Sequence, residues 1–240
     1  MSISKFNTSI VESKRILSEI GLFKSLGVKV INRDDVSPEF KTASQKKSYF
    51  DLYKCAIRNF DYDILLNDDS IFQFSYGFDA SNKTTHIRFA FFQNPQEYKT
   101  YPEFLQHLRD INYLSDETDE DLGDSFEEEY QQFLREQSLN TSSTSIRYDF
   151  DSHNYRPSLH SISHLHIGHQ NDIRIPCKLI LTPINFCIFV IKHVYYSTWK
   201  FQIANPGSSL KSTVSSSKLG CYTLALNQWL NDENSELFLS

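Results

Sequence analysis

The chain has 240 residues, of which 40% are hydrophobic and 22% charged, with a formal net charge of −6. This composition is typical of a globular protein that buries a core, and it excludes a disordered chain. Only seven glycines are present, which argues against glycine-rich phosphate loops, and neither a P-loop nor a dinucleotide-binding fingerprint occurs.

The N-terminal residues, the longest apolar run and the cysteines indicate the cellular compartment. Residues 1–14 are polar and do not resemble a secretory signal. The longest apolar run, 179–191, is interrupted by polar residues and a proline, so it is too short to span a bilayer. The four cysteines form no Cys-x-x-Cys pair, and Cys177 and Cys187 lie in apolar runs as buried thiols do. We therefore expect a protein of the reducing cytoplasm with no membrane segment.

Two helices are predicted in the N-terminal part. Apolar residues recur at helical spacing between Phe6 and Phe23, and again between Ser48 and Leu66. The second helix is expected to place four apolar side chains on one face: Phe50, Tyr53, Ile57 and Phe60.

The spacing of apolar residues changes to two in the next segment. Residues 71–78 and 84–92 each alternate between apolar and polar side chains, and turn-forming residues lie between them. This pattern predicts an antiparallel hairpin. His86 and Arg88 share one face of its second strand, which we interpret first as the solvated side of the hairpin and, as the alternative, as an extension of a functional site.

An acidic segment follows a helix that is predicted to begin near Pro102. Acidic residues concentrate between Ser115 and Glu136. We interpret residues 113–140 as an acidic helical insertion in a single domain that spans 1–240. The polar stretch 140–145 is the candidate internal boundary.

The C-terminal part begins with strands predicted at 144–150 and 161–167. Thr182 can cap a helix, and residues 184–199 are apolar on most sides, which is typical of a core helix. A loop rich in serine is expected at 206–217, and a last helix at 219–230.

These elements together predict an α+β fold. An antiparallel sheet would pack against helices, with a largely helical N-terminal part and the core helix in the C-terminal part.

The segment from Arg147 to Arg174 concentrates side chains that can carry chemistry. It holds five of the eight histidines: His153, His160, His164, His166 and His169. On a strand, His164 and His166 point to one face, and Arg147 and Asp149 do so on the strand before. If the two strands pair, these four side chains share one surface.

The first chemistry that suits this set is cleavage of RNA phosphodiesters without a metal ion. One imidazole would remove the proton from a 2′-hydroxyl, and the other would protonate the leaving oxygen. We assign His164 and His166 as this pair, Arg147 as a phosphate binder and Asp149 as the residue that orients an imidazole. Further substrate-binding candidates are Arg174, Arg156, Tyr148, His153 and His169.

Two alternatives stay open. Two histidines and a carboxylate also suit a divalent metal, as in a metal-dependent DNA nuclease, whereas the first chemistry needs no cofactor. The string HLHIGH partly matches the HxHxDH motif of metallo-β-lactamase-like hydrolases, but Gly168 stands where that motif has an acid. The other alternative is a non-catalytic subunit that docks on an ATPase-containing or nucleic-acid complex through the aromatic-rich N-terminal half and the acidic segment.

The run RYDFDSH…RPSLHSISHLHIG, with the length and order of elements, resembles a bacterial domain-of-unknown-function family linked to phage defence and toxin loci. Residues 147–168 are also similar to TumE-type toxins of toxin–antitoxin pairs. The matching positions are Arg147, Tyr148, Asp149, His153, Pro157, His164, His166 and Gly168. The chain differs from those toxins in its polar Ser161-Ile-Ser163 and in its longer N-terminal half. The resemblance implies a toxin or anti-phage effector that works beside an ATPase or antitoxin partner.

Overall fold

The computed structural model describes residues 2–28, 36–46, 48–78, 84–95, 100–110, 125–140, 143–169, 173–235 and 238–239. The chain forms two compact units. One combines Met1–Asn94 with Thr144–Ser240, and the other is Pro95–Ser143. The first unit contains the sheet and the candidate site.

A seven-stranded antiparallel sheet organises the first unit. Its strands lie side by side in chain order, so each pairs with its neighbours in sequence. They are β1 Phe23–Leu26, β2 Ile64–Leu66, β3 Ile71–Phe78, β4 Thr84–Phe92, β5 Ser145–Asp151, β6 Ser163–Ile167 and β7 Arg174–Pro176. A separate two-stranded pair joins β8, Leu179–Ile180, to β9, Tyr222–Thr223.

The described helices, in chain order, are α1 Ile3–Glu19, α2 Pro38–Ser44, α3 Tyr49–Arg58, α4 Tyr101–Asp110, α5 Glu127–Asn140, α6 Pro183–His193, α7 Tyr196–Ala204 and α8 Leu210–Gly220. A short 3-10 helix follows at Asn231–Ser235. No helix in the described part of the chain is both long and apolar enough to cross a membrane.

One face of the sheet forms the main core with α1 and α6. Phe89 of β4 lies between Phe74 on β3 and Tyr148 on β5, and Phe186 of α6 packs against it at 5.7 Å between ring centroids. Burying each such aromatic contributes about 1.5–3 kcal/mol. The backbone N–H of Ile184, at the start of α6, donates to a serine hydroxyl of α1. The core thus supports the sheet from one face.

Among the described residues, α2 and α3 cover one end of the opposite face with apolar side chains. Phe40 of α2 and Leu52 of α3 pack there against Ala90 and Phe92 of β4. The remaining part of this face carries the polar side chains of β3 to β7, and it is where the candidate site lies.

The second unit is built on α4 and α5. Phe104 of α4 packs against Phe133 of α5 with ring centroids 5.0 Å apart. Three glutamates in the first turn of α5 suit the positive end of its helix dipole. Of the acidic insertion predicted at 113–140, residues 113–124 lie outside the described residues.

The α+β class and the antiparallel sheet are confirmed, whereas several helix boundaries are wrong. The helix predicted at 48–66 ends at Arg58, because Phe60 has a φ of 55° and the chain then enters β2. Two residues of its expected inward face, Phe50 and Phe60, are exposed. The apolar stretch 184–199 is divided between α6 and α7.

The C-terminal loop and the last helix are also wrong. Residues predicted as a serine-rich loop form α8, and much of the predicted helix 219–230 is not helical. Leu210 and Thr213 of α8 are buried. The hydroxyl of Ser212 donates to the Ser209 carbonyl one turn earlier. Burial of one face and these bonds outweigh the low helix propensity of serine.

Candidate active site

Two rows of side chains cross the open face of the sheet. The pairing predicted between the two histidine- and arginine-bearing strands is present, since Arg147 lies opposite His166 and Asp149 opposite His164. The first row reads Gln73, Ala90, Arg147, His166 and Arg174 across β3 to β7. The second row reads Ser75, Arg88, Asp149, His164 and Pro176.

A cavity of about 670 Å³ lies above these rows. Its floor includes Arg88, Arg147, Asp149, His166 and Arg174, which come from four strands. Its lining also includes Phe40, Lys41 and Ser44 of α2. The volume lies within the range of sites that bind small ligands.

Two arginines and one histidine contact the carboxylate of Asp149. Its Oδ2 accepts a hydrogen bond from Arg147 Nε at 2.7 Å and lies 3.3 Å from His166 Nε2. Its Oδ1 lies 3.3 Å from Arg88 Nε. Burial opposes ionisation of this carboxyl, but the hydrogen bond from His166 and the two guanidinium charges outweigh it and lower the pKa to about 2. Asp149 is therefore a carboxylate at neutral pH.

His164 has a defined tautomer. Its Nδ1 lies 2.8 Å from the backbone carbonyl of Ser161. A carbonyl oxygen can only accept, so Nδ1 carries the proton and Nε2 presents its lone pair. Burial lowers the pKa of His164 to about 4, although the Ser161 carbonyl opposes this effect. The ring is therefore neutral at pH 7.

Three imidazoles follow one another beside the carboxylate. The rings of His164 and His166 are 4.7 Å apart between centroids, and those of His160 and His164 are 4.9 Å apart. His160 lies between β5 and β6, where it forms an isolated backbone bridge with Arg156. The histidine count of the segment included His160, but it was not predicted as a site residue.

Of the predicted acid–base pair, only His166 lines the cavity. His166 is 8% exposed and contributes to the cavity floor. His164 is 3% exposed and is not among the described residues that line the cavity. A ligand in the cavity would thus contact His166, whereas His164 would lie behind the His166 ring without contacting the ligand.

Two of the five further substrate-binding candidates line the cavity, and three, including the buried Tyr148, do not. Arg174 lies opposite His166 on the neighbouring strand, and its exposed side chain reaches the cavity. His169 also lines it, with Nε2 3.2 Å from the Lys46 carbonyl. Arg156 and His153 are exposed on the segment that joins β5 to β6, and neither is among the described cavity residues.

A known protein family matches most of the chain. The family model described as "Uncharacterized conserved protein (DUF2290)" matches residues 23–229. The chain belongs to this family. Comparison with curated proteins and with solved structures gave no match. The range matched to DUF2290 contains both rows of the sheet face and the whole cavity lining.

Tyr148 of this DUF2290 member is not a site residue, which corrects the expectation that it binds substrate. It is 0% exposed on the core face. Its hydroxyl lies 2.9 Å from the Ser163 hydroxyl and accepts a hydrogen bond from the backbone N–H of Leu181. Burial raises its pKa strongly. The alternation of β5 already places Tyr148 on the face opposite to Arg147 and Asp149.

In this DUF2290 member, Arg88 lies in the cluster, although the sequence favours a solvated position for it over a place in the site. It was interpreted as part of the solvated side of the hairpin, yet it lies opposite Asp149 and forms an ion pair with it. Gln73 and Ser75 also line the cavity. The period-two pattern gives the face of each residue, but only the register between β4 and β5 brings Arg88 to the carboxylate.

The same DUF2290 cluster could offer ligands to a metal ion. One atom each from Asp149, His164 and His166 lie within 4.8 Å of one another. Nε2 of His164, which carries no proton, suits a metal. The hydrogen bond from Nδ1 of the same ring to the Ser161 carbonyl is of the kind that orients metal-bound histidines. The guanidiniums of Arg147 and Arg88, however, already neutralise the carboxylate. This charge pattern favours an anion over a cation.

Proposed function

We propose that this protein cleaves RNA phosphodiesters without a metal ion, with His166 as the acid–base residue. The observation that carries the proposal is that His166 opens into an arginine-lined cavity while Asp149 lies at its Nε2. A carboxylate in this position orients the imidazole and stabilises the charge that the ring gains when it takes up a proton.

The charges around the cavity support an anionic substrate. Among its described lining residues, four are cationic, and one, Asp149, is acidic. The cations are Lys41, Arg88, Arg147 and Arg174. A guanidinium offers five N–H donors in a fixed fork, which matches the oxygens of a phosphate. These attractions are stronger inside a cavity than in bulk water.

The reaction would proceed by attack of the neighbouring 2′-hydroxyl. His166 takes the proton of this hydroxyl as the 2′-oxygen bonds to phosphorus and the P–O5′ bond breaks. The ring then releases the same proton to the departing 5′-oxygen. The products are a 2′,3′-cyclic phosphate and a free 5′-hydroxyl. Arg147 and Arg174 stabilise the charge that builds on the phosphate oxygens in the transition state.

Product analysis tests this scheme. The purified chain is incubated with a short RNA in excess chelator, beside the same RNA with a 2′-deoxynucleotide at each cleaved position. We expect cleavage that survives the chelator, ends in a 2′,3′-cyclic phosphate and stops at the deoxy positions. Cleavage of both substrates with equal rates would contradict the proposal, because a deoxynucleotide has no 2′-hydroxyl.

A metal-dependent nuclease is the second candidate, since one cluster brings Asp149, His164 and His166 together. A cation there would compete with Arg147 and Arg88 for the carboxylate. Elemental analysis of the purified protein and loss of all cleavage in chelator would support this candidate over the first.

The cellular role we propose follows the resemblance to TumE-type toxins. The chain would act as a toxin or anti-phage effector in the cytoplasm, where its four cysteines, none of them in a disulfide, would stay reduced. An antitoxin or ATPase partner would restrain it. Growth of cells that express the wild type or His166→Ala tests this role. Equal growth arrest by both proteins would separate toxicity from RNA cleavage.

A further inference from the structure

We propose that the cavity contains a nucleobase subsite at its apolar end, so that the protein recognises a nucleotide rather than a bare phosphate. This inference rests on the proposed function, because it names the substrate group that lies beside the reacting phosphate. It depends on a different part of the cavity, which the acid–base scheme does not use.

The cavity changes from apolar to cationic along β4. Phe92 and Ala90 line it at one end, with Phe40 of α2 and Leu52 of α3 above them, and Arg88 lines it at the other. Four residues of strand separate Phe92 from Arg88, which is about 13 Å. One end can therefore take a flat apolar group while the other binds an anion.

The register places a guanidinium at a suitable distance from the apolar end. Arg147 lies directly opposite Ala90, and His166 lies opposite Arg147. The step from Phe92 to the level of Arg147 is two residues along the strand, or about 7 Å. A group that joins a planar ring to a phosphate through a sugar can reach from the apolar end to Arg147 and His166.

Two aromatic rings define the apolar end. Phe40 and Phe92 are 6.0 Å apart between centroids, with their planes at 79°. Both keep a small exposed fraction, and both belong to the cavity lining. Bases bind proteins readily by stacking on aromatic side chains, and this contact tolerates every base because each has a π-face.

A polar group borders the same end. Gln73 lines the cavity, and its Nε2 donates a hydrogen bond to the backbone carbonyl of Asp61. This bond fixes the amide, because only its nitrogen can donate. The other amide atom, Oε1, is an acceptor, and the N–H groups on the edges of bases are suitable donors to it.

The test compares ligands that differ only in the base. Dissociation constants of the full chain are measured for the four ribonucleoside 5′-monophosphates and for ribose 5-phosphate, by isothermal calorimetry at fixed salt. We expect the nucleotides to bind at least tenfold more tightly, in line with the strength of base–aromatic stacking. Phe40→Leu should reduce this ratio below about threefold and leave the affinity for ribose 5-phosphate unchanged.

Matched variants keep the test decisive. Phe50→Leu changes an exposed phenylalanine of α3 and should leave the ratio as in the wild type, while Phe92→Leu should behave as Phe40→Leu does. Thermal unfolding shows that each variant is folded. Equal affinity for nucleotides and ribose 5-phosphate, or a ratio that survives both substitutions, would overturn the subsite. Tighter binding of nucleotides than of ribose 5-phosphate, in a chain that does not cleave RNA, would support the subsite and end the proposed function.

Discussion

Nε2 of His166 lies 3.3 Å from Oδ2 of Asp149, although the two residues are not opposite each other on β6 and β5. His166 is opposite Arg147, so its contact with Asp149 is diagonal across the strand pair. Arg147 reaches the same oxygen along its own strand. The contact between His166 and Asp149 is thus fixed by the register of a sheet whose other face packs on the core. Such support suits a site that must hold its geometry.

Asp149→Asn should lower stability in a pH-dependent way. The folded pKa of about 2 lies below the ordinary value of 3.8, so the carboxylate stabilises the fold above about pH 4 and loses this effect as the pH falls toward 2. We expect the variant to be less stable by about 2 kcal/mol at pH 7. The difference from the wild type should shrink between pH 4 and pH 2.

Urea unfolding of both proteins at pH 7, 4 and 3 measures this difference. Asp51→Asn, in the exposed first turn of α3, serves as the control for the Asp→Asn change itself. A deficit of Asp149→Asn that stays constant over this range would mean that the ion pairs with Arg147 and Arg88 do not stabilise the fold.

Arg147→Gln should weaken RNA binding, whereas Arg156→Gln should not. Arg147 lines the cavity, and Arg156 is exposed outside it. Loss of one phosphate contact should reduce the slope of log affinity against log salt by about 1. Fluorescence anisotropy with labelled RNA at several salt concentrations gives this slope. Equal losses in the two variants would indicate a diffuse basic surface instead of a cavity site.

Tyr148→Phe should affect stability and spare RNA binding. The hydroxyl links β5 to Ser163 and to the backbone N–H of Leu181. Its removal leaves buried polar groups without their partner, at a cost of about 1–3 kcal/mol. Chemical unfolding measures this cost. A variant of full stability with impaired RNA binding would restore Tyr148 to the substrate-binding residues.

The sequence predicts most of the sheet because alternation is a local signal. In β5 it places Arg147 and Asp149 on one face and Tyr148 on the other. In β6 it places His164 and His166 on the same face. Assigning Tyr148 to the site contradicted this same pattern, so the error did not come from missing information. The alternation alone therefore identified four residues of the cluster.

The remaining part of the site depends on distant pairing. Arg88 reaches Asp149 because β4 and β5 are neighbours, although the second unit, Pro95–Ser143, separates them in sequence. Helix α2 is distant in sequence from the histidines, yet its Phe40, Lys41 and Ser44 line the same cavity as His166. Ser37 followed by Pro38 is a local signal for the start of that helix, since serine caps and proline suits the first turn.

The most direct test of the central claim compares RNA cleavage by His166→Ala with that by His153→Ala. His153 is an exposed histidine of the same segment outside the cavity, so its loss controls for the general effect of removing an imidazole. We predict that His166→Ala, in a chain that urea unfolding shows to be folded, lowers the cleavage rate about 10²–10⁴-fold, while His153→Ala cleaves as the wild type does. Cleavage by His166→Ala at the wild-type rate would contradict the account.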